Sequence, residues 1–362
     1  MTAGAVQEPL LPRQTADFLG HEAPERTLLD AYGSGRLQHA WLLTGPPGIG
    51  KATLAFRFAR YLLAGAPGGA TTLQLDPAHP VFRRVAAGSH PDLLTVERGL
   101  REDGRPRSEI VVPDARRVGE FLRRTPAEGG WRIAVVDSAD DLNPNAANAL
   151  LKLLEEPPAR SLLLLVSHNP GRLLPTIRSR CRRLALQPLT AEIVARLLRE
   201  RRPDLGEEAG LLLARLAEGS PGRALALAAE GGDELFRTLL TLLESLPGLD
   251  AQSVHATAER LGARKAEPAF RTFADLLSWW LGRLVRCAAT ATPPEPELLP
   301  GEGRLIGRMA TTAPLDRWCE LWEKIGHLVA RADALSLDRR QVILDVFFGL
   351  QAVMRPAGDA PV

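Results

Sequence analysis

The chain has 362 residues, of which 45% are hydrophobic, and its formal net charge at pH 7 is +2. This length predicts two or three domains with apolar cores, and the small net charge gives no strong electrostatic footprint for nucleic acid. The three cysteines (Cys181, Cys287 and Cys319) form no CxxC pair, which disfavours both disulfides and zinc. Because no segment reads as a signal peptide or a membrane span, we expect a cytoplasmic protein without membrane contact.

A glycine-rich stretch follows the first predicted helix (residues 24–32) and the first predicted strand (residues 41–43). It reads Gly45-Pro46-Pro47-Gly48-Ile49-Gly50-Lys51-Ala52-Thr53, and a helical pattern over residues 54–63 comes after it. A strand, a glycine-rich turn and a helix in this order predict a phosphate-binding loop. The glycines let backbone N–H groups surround phosphate oxygens at a helix N-terminus, and Lys51 would contact the β- and γ-phosphates. A plain turn with a chance lysine is the weaker alternative.

One position of this loop departs from the motif. A serine or threonine normally follows the lysine and ligates Mg²⁺ through its hydroxyl, whereas this chain has Ala52. Thr53 comes one residue later, and one residue turns a side chain by roughly 100° around a helix, so Thr53 should not replace that ligand. The loop is therefore expected to hold phosphate, with ATP as a possible ligand, but Mg²⁺ binding is doubtful and hydrolysis is not expected.

The next predicted elements are a connector over residues 64–70, a strand over 93–96, a mobile loop over 99–108 and a helix over 113–124. A short apolar run over 131–136 then ends in Asp137 and predicts a buried parallel strand. Asp137 would lie beside the phosphate-binding loop and hold Mg²⁺ through water. Ser138 stands where hydrolysing AAA+ ATPases have a glutamate. Asp140 and Asp141 come after the end of the strand, so we do not expect either carboxylate to reach the place of that glutamate.

A further helix and two further strands complete the first half of the chain. Asn143 and Pro144 predict a helix start by capping and by a first-turn proline, and the helix should stop at Pro157. The strand over 162–166 ends at Ser167, and here Ser167 or Asn169 either bonds a γ-phosphate or simply ends the strand. With the short strand over 184–186, five strands separated by helices predict a doubly wound parallel α/β domain.

Arginines cluster between these last two strands, in the run Arg178-Ser179-Arg180-Cys181-Arg182-Arg183. By composition alone, such a cluster at a helix end is best explained as solvated charge that complements the helix dipole.

Four motifs together resemble the delta-prime family of clamp-loader subunits of bacterial DNA polymerase III, which are AAA+ proteins. They are the segment from His39 through the glycine-rich loop, Asp137 with the run from Asn148 to Pro158, the run Arg178-Ser179-Arg180-Cys181, and the run from Glu218 to Leu225. They span residues 15–230, and the run from Leu335 to Gln341 resembles the C-terminal domain of the family. The second and third motifs are the most specific.

The resemblance implies a P-loop AAA+ domain over residues 1–187, a helical lid over 188–232 and a helical collar for oligomerisation over 233–362. It implies a ring of loader subunits that includes motor and delta subunits and acts on a sliding clamp and primed DNA. Ser179, Arg180 and Cys181 would form the family's arginine-finger motif, with Arg180 contacting ATP bound by a neighbouring motor subunit. Arg223 matches the second sensor position. The family's four-cysteine zinc module is not carried over, because residues 64–91 contain no cysteine.

Ala52 and Ser138 fit a stator, a subunit with a degraded nucleotide site. We therefore expect little or no intrinsic enzymatic activity and a contribution to the ATPase of the complex. Two alternatives remain: an ATP-hydrolysing motor subunit of the same loader, and a P-loop kinase that acts on a small molecule.

Overall fold

The computed structural model describes residues 11–67, 69–100, 107–335 and 337–355, with the side chains of 333 and 334 excepted. Parts of four predicted segments lie outside these residues: the connector at Gly68, the loop over 99–108, the motif that contains Ser336 and the end of the chain after Arg355. The chain divides into two compact units. The first contains Met1–Asp204 together with Glu218–Arg223, and the second contains Leu205–Ala217 together with Ala224–Val362. The three-part division at 187 and 232 stays a prediction.

A parallel five-stranded sheet forms the centre of the first unit in the described residues, with the order β2-β3-β4-β1-β5. Every residue of β4 is buried, as is every residue of β3 except the last, which explains their almost unbroken apolar sequence. The strands are β1 (Ala40–Thr44), β2 (Leu93–Val96), β3 (Arg132–Asp137), β4 (Ser161–Ser167) and β5 (Arg182–Ala185). The predicted parallel α/β sheet is confirmed.

Helices cover both faces of this sheet. Successive strand residues point to opposite sides, so each strand contributes apolar side chains to the core on both faces. Trp41 and Leu43 of β1 belong to one apolar cluster with α1 and α2, whereas Ala40 and Leu42 belong to a second cluster with α4 and α5. The helices are α1 (Glu22–Gly33), α2 (Lys51–Leu63), α3 (Pro80–Ala86), α4 (Val112–Arg123), α5 (Pro144–Glu155), α6 (Pro175–Arg178) and α7 (Ala191–Arg201).

The two ends of α5 follow the predicted signals. The Asn143 side chain accepts a hydrogen bond from the N–H of Ala146 at 2.9 Å, and Pro144 occupies the first turn. The helix ends at Glu155, two residues before Pro157. Glu155, the last residue of the helix, is exposed, so its side-chain carboxylate lies at the surface.

The second unit is built from helices in the part of the chain that the structure describes, as the sequence predicts. Trp280 is fully buried, and Phe236 packs edge-on against Trp279 with ring centroids 6.3 Å apart. Among the described residues, no helix has both the length and the apolar character needed to cross a bilayer. The helices are α8 (Glu207–Leu216), α9 (Pro221–Ala229, which begins in the first unit), α10 (Gly232–Glu244), α11 (Ala251–Gly262), α12 (Glu267–Thr290), α13 (Glu302–Ala310), α14 (Leu315–Leu335) and α15 (Arg339–Met354).

Candidate functional site

The glycine-rich loop connects the end of β1 to the start of α2. Gly45, Gly48 and Gly50 have φ angles of 144°, 73° and 102°, which side-chain-bearing residues rarely adopt. Gly48 also lacks room for a side chain, since a Cβ there would lie 2.4 Å from the Ser220 hydroxyl oxygen. The sequence Gly-x-x-Gly-x-Gly is thus what this backbone path requires.

The carbonyl oxygens of five consecutive loop residues accept hydrogen bonds from other groups of the first unit. The pairs are Lys51 Nζ with Gly45 (2.7 Å) and with Pro46, Ser220 Oγ with Pro47 (3.0 Å), the N–H of Gly222 with Gly48 (3.0 Å), and His21 Nε2 with Ile49 (2.7 Å). Within the described residues, the N–H groups of Gly48, Ile49 and Gly50 donate to no protein acceptor. Carbonyls that are bonded outward and N–H groups that remain available form a nest that fits an anion such as a phosphate.

Lys51 and Asp137 are the charged groups of this site. Lys51 is 2% exposed, and burial lowers its pKa to about 8, although Asp137 and Asp140 oppose this shift. Burial also raises the pKa of Asp137 to about 6; Glu97 and Asp141 add to this effect, and Lys51 opposes it. Lys51 is therefore mostly charged at pH 7 and can attract a phosphate, and the neighbouring Asp137 is mostly ionised.

The residues on the magnesium side of the loop do not fit a metal-activating site. Ala52 packs against the apolar cluster on the α1 and α2 face of the sheet and has no oxygen to offer a cation. Ser138, which stands at the position of a catalytic glutamate, donates its hydroxyl to Asp140 at 2.9 Å. Thr53 makes no side-chain hydrogen bond within the described residues. The site fits a nucleotide's phosphates better than it fits the Mg²⁺ that hydrolysis needs.

The Asp140 side chain is held by the end of β4. A short 3₁₀ turn, Ala139–Asp141, brings the Asp140 carboxylate back to the end of β4. There it accepts hydrogen bonds from the Ser167 hydroxyl at 2.7 Å, from the N–H of Asn169 at 3.3 Å and from the N–H of His168. Burial acts to raise the pKa of Asp140, but these bonds, together with the one from the Ser138 hydroxyl, outweigh it and lower the pKa. The Ser167 hydroxyl thus donates its proton to Asp140 of the same chain.

A cavity of about 420 Å³ lies beside this strand end. Asp137, Ser138, Asp141 and His168 are among the polar residues that line it, and Phe56 of α2 contributes an apolar surface. Glu97, at the end of β2, also lines this cavity and was not among the predicted site residues.

Arg180 lies elsewhere on the first unit and contacts none of the loop residues. Its Nη2 atom is 2.8 Å from Glu155 Oε1, and its Nη1 atom donates to the Thr176 carbonyl at 3.1 Å and to the Ser179 hydroxyl at 3.4 Å. The Arg180 side chain is 36% exposed. Cys181, by contrast, is partly buried. Burial raises the pKa of its thiol to about 12, and the side chain packs on the α4 and α5 face.

The remaining arginines of interest have specific partners. Arg223 Nη1 is 3.2 Å from Glu218 Oε2, so this guanidinium, which was expected at the second sensor position, is paired within its own segment. Arg183 donates from Nε to the Thr44 hydroxyl at 3.1 Å, and the Arg182 guanidinium lies 4.7 Å from the centre of the Trp41 ring. Several arginines of the cluster over residues 178–183 therefore have defined partners and are not simply solvated charges.

The first unit is a P-loop domain of the AAA+ type. Three features define it: the loop at the end of β1, Asp137 at the end of β3, and the strand order β2-β3-β4-β1-β5. A sequence model of the family described as "DNA polymerase III, delta subunit" matches residues 20–190. The delta' subunit of DNA polymerase III from Escherichia coli is 31% identical over 336 residues, which cover 92% of this chain and 95% of that protein. This chain belongs to the delta-prime family of DNA polymerase III clamp-loader subunits.

Two other relatives extend this comparison. The delta' subunit from Pseudomonas aeruginosa is 41% identical over 205 residues, which cover 54% of this chain and 58% of that protein. The tau subunit from Escherichia coli is 31% identical over 301 residues, which cover 78% of this chain and 45% of that protein. All three named relatives are DNA polymerase III subunits, which counts against the small-molecule kinase alternative.

Proposed function

We propose that the chain is a stator of the bacterial clamp loader that binds ATP without hydrolysing it and donates Arg180 to ATP on a neighbouring motor subunit. In this role it assembles with motor and delta subunits in the cytoplasm, and the complex opens a sliding clamp and places it on primed DNA. Family membership supports the assembly. The contrast between a phosphate-binding loop and a missing magnesium ligand supports the absence of hydrolysis.

The observation that carries this proposal is the position of Arg180. Its guanidinium is partly exposed, and its hydrogen bonds and ion pair within the described residues go to α5 and to the segment around α6. It lies apart from the hydrogen-bond network of its own phosphate-binding loop. A guanidinium that serves the chain's own nucleotide would be expected within that network. A planar, permanently charged fork suits two oxygens of a triphosphate that another chain presents.

The test is the DNA-stimulated ATPase of a reconstituted complex that carries Arg180→Ala. An arginine finger is worth roughly 10³–10⁵ in rate, so the complex should lose nearly all of the turnover at the site that this chain faces. Arg178→Ala is the matched control, because Arg178 is exposed two residues away and has no ion-pair partner in the described part of the chain. Assembly should be intact in both variants, and unchanged turnover with Arg180→Ala would contradict the proposal.

The motor-subunit alternative remains because the loop has an anion-binding shape and Lys51 is in place. It requires another group to supply the magnesium ligand that Ala52 lacks. ATPase activity of the purified chain above background, abolished by Lys51→Ala, would favour the motor subunit over the stator.

A further inference from the structure

Arg180 has both terminal nitrogens of its guanidinium engaged by its own chain. Glu155 Oε1 accepts from Nη2 at 2.8 Å, and the Thr176 carbonyl accepts from Nη1 at 3.1 Å. The carboxylate comes from the last residue of α5, and the carbonyl comes from the first turn of α6. These two acceptors occupy the fork that would otherwise meet two phosphate oxygens.

We propose that Glu155 is an intramolecular latch, which withholds Arg180 until a neighbouring subunit presents a triphosphate. This inference rests on the proposed function, because it concerns when the finger becomes available. The Glu155 carboxylate competes with phosphate oxygens for the same N–H donors. A triphosphate carries several negative charges and can accept both arms of the fork, so it displaces a single carboxylate when it comes within reach.

The exposure of the pair allows this exchange. The side chains of Arg180 and Glu155 are 36% and 51% exposed, so water and salt screen their attraction, and the pair can open without disturbing a core. No covalent bond changes; one charge-assisted hydrogen-bonded pair is replaced by another. Without a triphosphate, the carboxylate neutralises the guanidinium and holds it in one direction.

Glu156, the residue after Glu155, offers a matched comparison for the latch. Glu156 carries the same charge, is exposed, and makes no ion pair or side-chain hydrogen bond within the residues that the structure describes. If Glu155 acted only by adding negative charge near a neighbour's triphosphate, Glu156 would act in much the same way. The latch is specific to the carboxylate that touches Arg180.

The test is ATP saturation of the DNA-stimulated ATPase in a reconstituted complex. Any ATP site other than the one this chain faces is silenced by substitution of its P-loop lysine. Glu155→Gln should lower the half-saturating ATP concentration by about 2–5-fold at low salt, as expected for loss of a competing exposed ion pair. The difference should shrink at high salt, where the pair is already screened. Glu156→Gln should behave like the wild type.

Epistasis separates the latch from the proposed function. With Arg180→Ala in the same chain, Glu155→Gln should have no further effect, and an undiminished shift there would mean that Glu155 acts without Arg180 and would overturn the latch. If Arg180→Ala reduces turnover while Glu155→Gln leaves ATP saturation unchanged or weakens it, the latch is wrong and the finger stands. If Arg180→Ala leaves turnover unchanged, the proposed function fails, and the latch fails with it.

Discussion

The guanidinium of Arg180 and the carboxylate of Glu155 lie 2.8 Å apart and join the segment after α6 to the end of α5. Exposed ion pairs of this kind contribute about 0–1 kcal/mol to folding stability. We therefore expect Arg180→Ala and Glu155→Gln each to change the free energy of unfolding by less than about 1 kcal/mol, as measured by urea denaturation of the purified chain. A loss of several kcal/mol would assign the pair to the fold instead.

The buried pair between Glu25 and Arg57 should behave differently. Glu25 Oε1 lies 3.0 Å from Arg57 Nη2, and it also accepts from the Thr72 hydroxyl and from the N–H of Leu73. Removing one partner of a buried pair leaves the other charge without compensation, which typically costs about 3–5 kcal/mol. Glu25→Ala should lower the free energy of unfolding by that amount in urea denaturation.

The control for this prediction is Glu200→Ala. Glu200 pairs with Arg196 on the exposed face of α7 at 3.2 Å, so its loss should cost less than about 1 kcal/mol. Equal effects of the two substitutions would contradict the prediction that the buried Glu25–Arg57 pair matters more to stability than the exposed pair.

Lys51 should control nucleotide affinity. A charged donor contributes about 1.5–3 kcal/mol, so Lys51→Ala should weaken ATP binding by roughly 10–100-fold in a titration with labelled ATP. Because the pKa of Lys51 is lowered to about 8, its charge is lost as the pH rises through that value, and ATP affinity should fall between pH 7 and pH 9.

Mg²⁺ should add little to ATP affinity in the wild type. The Ala52 side chain has no oxygen, so the position that follows the lysine supplies no hydroxyl for Mg²⁺. Ala52→Ser should make ATP binding dependent on Mg²⁺, as measured by the same titration with and without EDTA. A strong Mg²⁺ dependence in the wild type would instead favour the motor-subunit alternative.

Asp137 should make the stability of the chain depend on pH. Its pKa is about 6 in the folded chain, above the ordinary value of 3.8, chiefly because of burial. The folded state therefore holds this proton more tightly than the unfolded state, and Asp137 lowers stability as the pH rises from about 4 to 6. Asp137→Asn removes this effect, so the variant should be more stable than the wild type at pH 7, by about 1–3 kcal/mol.

Urea denaturation of both proteins between pH 4 and pH 8 checks this prediction. The advantage of Asp137→Asn should become small near pH 4, because Asp137 is protonated in the folded state there and the pH approaches its ordinary pKa of 3.8 in the unfolded state. A variant that is less stable than the wild type at pH 7 would show that the Asp137 charge stabilises the fold.

Local patterns were sufficient to predict most of the first unit. The apolar runs that became β3 and β4, the Asn143 cap and the glycine-rich loop each depend on residues that are neighbours in sequence, so the chain itself carries the signal. The short helix α3 was missed because two turns that begin at a proline give almost no periodicity.

Contacts between distant residues could not be predicted in the same way. Ser220 reaches the loop from 173 residues away, and Asp140 reaches Ser167 only because a 3₁₀ turn reverses the chain. The partner of Arg180 depends on where α5 and α6 end in space. Motif resemblance selected Arg180, but nothing in the sequence paired it with Glu155.

The segment Glu218–Arg223 has a consequence for how this protein can be dissected. Because these residues belong to the first unit, the backbone passes between units three times, after Asp204, after Ala217 and after Arg223. A fragment truncated at Asp204 would lose Ser220 and Gly222, and the carbonyls of Pro47 and Gly48 would lose the donors that hold them. A single cleavage after Asp204 or after Ala217 therefore cannot release an intact first unit, and measurements on such an amino-terminal fragment would describe a loop that has lost these contacts.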